Sequence, residues 1–147
     1  MLTAVLDIRN STDIRNARFT SYVGFEEMRM LEWVRSNVPA GGAVQNYPGA
    51  RTWNLSAIPA FSGRPMVIGD RMHGQIFQVS PEVYEERLEA LRLALAGLPA
   101  TRGDLRRLGV DYLFWGEDER RFFRTDPAGL SVAHRIGGTV LYALGPE

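Results

Sequence analysis

Apolar and polar positions along this chain change period several times, and one stretch organises the rest. From Leu105 to Phe123 the sequence reads LRRLGVDYLFWGEDERRFF. It predicts a short basic helix ending at Gly109, a strand from Val110 to Trp115 and a polar turn, GEDERR. On that strand Val110, Tyr112 and Phe114 are expected to share one face and Leu113 and Trp115 the other, with Asp111 at the entry. A strand that is apolar on both faces is central and covered on both sides. Its C-terminal end, where the charged turn lies, is where open α/β sheets place ligands.

The same reasoning places the other elements. Phe25 to Asn37 reads as a helix, with Glu26 and Glu27 suited to its N-terminal end, Arg35 to its last turn, and Pro39 as a stop. Phe25, Met28, Leu31 and Val34, followed by Val38, form the expected buried stripe. Ala43–Asn46 is expected to be a short strand, residues 47–65 a loop with one helical turn near 55–61, and Pro65–Gly69 another buried strand. Ser80 is a good N-cap with Pro81 at the favoured first position, and Tyr84, Leu88, Leu91, Leu95 and Leu98 trace one face of the helix that follows. Thr101 and Asp104 are expected to open a further helix as a capping-box variant, closed by Gly109. Two strand-like runs, Ser131–Ile136 and Thr139–Leu144, flank Gly137-Gly138, the spacing of a tight hairpin. The order of elements predicts an α/β domain: a mixed sheet flanked by helices, ending in a C-terminal β-hairpin, over residues 25–147. Residues 1–24 are polar and unpatterned apart from 2–8, and read as a leader or linker.

Composition narrows the function classes. A hydrophobic fraction of 45% over 147 residues suits one globular domain. Net charge is zero, so no global field recruits nucleic acid or an anionic membrane, and the three tryptophans do not interleave with a basic stripe. All 17 basic residues are arginine, which fits biased codon usage in a GC-rich genome better than a set of designed salt bridges. The chain has no cysteine, which removes disulfides, thiolate catalysis and zinc–thiolate sites. No run reaches the ~20 apolar residues of a membrane span, and no cofactor motif is present.

Candidate chemistry is sparse. The two histidines, His73 and His134, are far apart in sequence, and His134 reads as a sheet residue. Arg64, Asp70 and His73 flank the expected strand at 65–69, where they suit an anion or a proton relay; a surface loop tied by an Arg–Asp pair is the plainer reading. Glu117, Asp118 and Glu119 beside Arg120 and Arg121 have the composition of a carboxylate cluster, but their adjacency predicts a solvated turn leading into a short helix. No catalytic constellation emerges.

Several segments together carry a resemblance. Glu32–Pro39 before a short strand, Ala60–Pro65 with Gly69 and His73, Leu108–Tyr112 through Gly116 to Glu119-Arg120, and the terminal Val140-Leu141-Tyr142 occur in a familiar order. This order resembles the extracytoplasmic C-terminal domain of polytopic bacterial membrane proteins of the GT-C glycosyltransferase type. The resemblance implies a lipid-phosphate-linked sugar donor, with catalytic acidic residues in a membrane-embedded part that this sequence lacks. It follows that Met1 is expected to lie within a longer protein, and that this chain is non-catalytic, shaping an acceptor site or binding a glycan or lipid-linked sugar. Expected contact residues are Ser62, Arg64, Asp70 and His73, then Glu119 and Arg120. The expected partner is the membrane part of the same polypeptide, on the extracytoplasmic face. The alternative is a free-standing cytosolic α/β protein that binds a small anionic ligand, or a minor hydrolase.

Overall fold

A computed structural model describes residues 23–50, 57–69, 71, 74, 78–96, 101–127 and 129–145. The elements run α1 (Phe25–Asn37), β1 (Val44–Gln45), a 3-10 turn (Pro48–Ala50), a π turn (Ile58–Ser62), α2 (Pro81–Leu95) and α3 (Thr101–Arg107). Then come β2 (Tyr112–Trp115), α4 (Glu117–Phe123), β3 (Ser131–Ile136) and β4 (Thr139–Ala143). The four strands form one mixed sheet in the order β1-β2-β4-β3, with β1 parallel to β2 and the other pairs antiparallel. This is the expected α/β architecture with its C-terminal hairpin. Residues 1–22 of the expected 1–24 leader, the end of α2 at Leu98 and the loop residues Asp70 and His73 lie outside the described residues.

Strand β2 is interior, and its alternation divides the core in two. Leu113 and Trp115 join Val140 and Tyr142 of β4 beneath Leu91, Ala94 and Leu95 of α2 and Leu105 of α3. Phe114, with Leu141 and Val44, faces Met30, Leu31 and Val34 of α1 and Ile58 of the π turn. Val110 departs from the expected parity. It packs with Leu113 and Trp115, not with Phe114. The cause lies at the strand entry, where the amides of Asp111 and Tyr112 both donate to the Ala43 carbonyl at 3.0 Å. Two residues opposing one form a bulge, and one extra residue reverses the face of everything before it. Asp111 is locked there: its carboxylate accepts from Ala43 N at 2.9 Å and its carbonyl from Leu144 N at 2.9 Å.

The segment 65–69 is not a strand. Val44 N donates to Pro65 O at 2.9 Å, and beyond that one backbone bond the Gln45 side chain takes over. Its Oε1 accepts from Val67 N and Ile68 N at 3.0 Å each, and its Nε2 donates to Ile68 O at 2.9 Å and Asn46 O at 2.7 Å. Gln45 is fully buried, so a side-chain amide closes the free edge of β1 in place of a ladder.

Local signals set the helix ends. The Ser80 hydroxyl accepts from Val83 N at 3.2 Å, capping α2 as expected. Gly109 has φ +86°; its N–H bonds Arg106 O and that of Val110 bonds Leu105 O, a left-handed closure of α3. Asp104, in the first turn of α3, pairs with Arg107; the side chain of Thr101, the other half of the expected box, lies outside the described residues. Leu31, Val34 and Val38 of the expected stripe are buried, but at the start of α1 Phe25 is 78% exposed and Glu27 and Met30 turn inward instead. Glu27 tolerates that position because its carboxylate accepts from Glu117 N at 3.4 Å.

Replacing Gln45 by alanine leaves several buried backbone groups without partners, and should lower stability by about 2–3 kcal/mol. A shift in the urea midpoint worth under about 0.5 kcal/mol would show that the edge of β1 does not rely on this amide. Burial also raises the phenol pKa of Tyr47 and Tyr142, so the fold favours their neutral forms. That contribution is complete below the ordinary tyrosine range and is lost as pH climbs from there through the raised folded values. Urea midpoints measured across this alkaline window should fall, with phenolate absorbance of the native protein lagging behind that of the unfolded chain.

Candidate functional site

Parallel strands β1 and β2 end side by side, and a carboxylate stands between the ends. Helix α4 opens at Gly116, and Glu119, in its first turn, points back inward. Its Oε2 accepts from Gly116 N at 2.9 Å, and its Oε1 from Tyr47 N at 3.3 Å, beyond the end of β1. Glu119 has no solvent exposure, so the expectation of a solvated turn does not hold for this residue. A buried carboxylate is tolerable here because charge-assisted bonds to backbone amides replace its hydration. An aromatic group packs around the same end. Tyr47 meets Phe122 and Phe123 with ring centres 5.0 and 5.1 Å apart, and Phe123 meets Trp115 at 5.4 Å. The indole of Trp115 donates to Asp126 at 2.9 Å.

Outward from Glu119 the N-terminal turns of α1 and α4 and the start of β4 enclose an open cleft of about 370 Å³. Its lining includes Phe25, Glu26, Glu27, Glu117, Asp118, Arg120 and Thr139. Gly116 lets the Glu27 carboxylate approach closely, since a Cβ there would displace it. The hairpin tip is held from two sides. Glu26 accepts from Gly138 N at 2.9 Å, and the Arg120 guanidinium donates to Gly138 O. Glu117, on the cleft wall, also pairs with Arg121 one turn on. The cleft therefore presents carboxylate acceptors, suited to hydroxyl and cationic donors, with the Arg120 guanidinium beside them. Among the described residues no group of three or more His, Cys, Asp and Glu side chains is placed to hold a metal ion.

The described residues among those singled out from sequence fall in two places: Ser62 and Arg64 adjoin at the end of the π turn, and Glu119 and Arg120 follow β2. Ser62 is fully buried and donates to Ile58 O at 2.6 Å within the π turn. Arg64 donates to Val38 O at 2.8 Å and Arg35 O at 2.6 Å, and so caps the C-terminal end of α1. Asp70 and His73 lie outside the described residues. Glu119 and Arg120 do sit at the C-terminal end of β2, Glu119 beneath the cleft and Arg120 on its wall. Sequence reasoning missed Glu26, Glu27 and Phe25 as cleft residues, because nothing local shows that α1 starts beside α4. His134 is a sheet residue as expected, with its ring stacked on Trp33 of α1 at 4.2 Å between centres.

Substituting Glu119 by alanine orphans two amides at the strand ends and should cost about 2–4 kcal/mol in urea unfolding. Glutamine, which keeps an acceptor oxygen, should cost clearly less; equal losses for both would show that volume and not hydrogen bonding matters there. Arg64→Ala should lower stability by about 1–2 kcal/mol through the lost cap. A variant as stable as the parent would free Arg64 for a role at the surface.

No family model, no curated protein and no solved structure matches this chain.

Proposed function

We propose that this chain is a non-catalytic recognition domain of a membrane glycosyltransferase-like protein, and that its cleft takes a neutral, hydroxyl-rich acceptor. The lining of the cleft carries the reading. Glu26, Glu27, Glu117 and Asp118 contribute carboxylates, which when ionised only accept hydrogen bonds, and sugar hydroxyls are donors. Phe25, 78% exposed at the rim, offers a flat apolar surface against which the C–H face of a pyranose ring stacks. Four carboxylates against the one guanidinium of Arg120 disfavour a sugar phosphate, since like charges about 4 Å apart repel by ~1 kcal/mol in water and several-fold more near a protein surface. In this reading the lipid-phosphate donor is held by the membrane-embedded part of the same polypeptide, and the domain works beside it on the extracytoplasmic face.

An anion-binding protein has less support. Arg64 is engaged with the carbonyls that end α1, and the amides of Gly116 and Tyr47, which an anion would seek, already hold Glu119.

The test is an amide-shift titration of the isotope-labelled protein with neutral oligosaccharides and, separately, with glucose 1-phosphate. Neutral glycans should move the amides of Phe25, Glu26, Glu117 and Asp118, and glucose 1-phosphate should leave them in place. The double substitution E117Q/D118N should weaken glycan binding about tenfold, the equivalent of ~1.4 kcal/mol. Binding of glucose 1-phosphate in the cleft, with no response to neutral glycans, would overturn the proposal.

A further inference from the structure

We draw no further inference here: the strongest candidate, the outer edge of β3 with Val132 51% exposed on it, is a sheet edge for which nothing in the structure shows what covers it.

Discussion

Two backbone amides at the ends of parallel strands converge on the carboxylate of Glu119, and the C-terminal face of the sheet depends on that convergence. It ties the first turn of α4 to the residues after β1, where Tyr47 also packs on Phe122 and Phe123. With it, Gly116 is drawn close to α1, and the helix starts that form the cleft are set at a defined separation. The arrangement resembles an anion site of an open α/β sheet in which the chain supplies its own anion. That explains how this carboxylate stays fully buried.

The parts of the fold that were legible in the sequence are those that need no knowledge of a neighbour. A strand apolar on both faces must be interior wherever it lies, and β2 is interior. Ser80-Pro81 and Gly137-Gly138 act through their own backbone and hydroxyl chemistry, and both mark real boundaries. The misreadings arose where a distant partner decides. Val110 changes face because Ala43, far upstream, accepts from two successive amides. Pro65–Gly69 has strand composition, yet Gln45 satisfies it through an amide that sequence alone reads as one more strand residue. The site was less legible than the fold. The spacing of Gly116 and Glu119 is that of a helix N-cap and its third residue, a signal for the inward-turned carboxylate that was present in the sequence. No comparable signal announces that Glu26 and Arg120 meet at Gly138.

Arginine is the only strong cation in this chain, and its use is consistent. Arg64 donates to carbonyls at the end of α1, Arg102 to Leu144 O at 2.6 Å beyond β4, and Arg120 to Gly138 O at the hairpin tip. In each case a guanidinium reaches the carbonyls of a segment that has run out of backbone partners. The fork of donors suits this work better than a single ammonium would. Salt bridges such as Arg71–Glu85 and Arg92–Glu89 lie on exposed surface, where such pairs contribute little. The polar side chains that matter to the architecture therefore bond mainly to backbone.

The sheet topology also has a kinetic side. Strands β2, β3 and β4 follow one another within the last part of the chain, and the hairpin brings two of them together by local contacts alone. Strand β1 joins from 68 residues upstream, the separation between Ala43 and the Asp111 carboxylate that receives it. A pairing that closes so long a loop is entropically slow and follows the local ones. The C-terminal three strands thus form the natural nucleus, and the parallel edge, with Gln45 and Glu119 both needing their distant partners, locks last. The cleft likewise waits on a long-range contact, that of α1 with α4 and the start of β4.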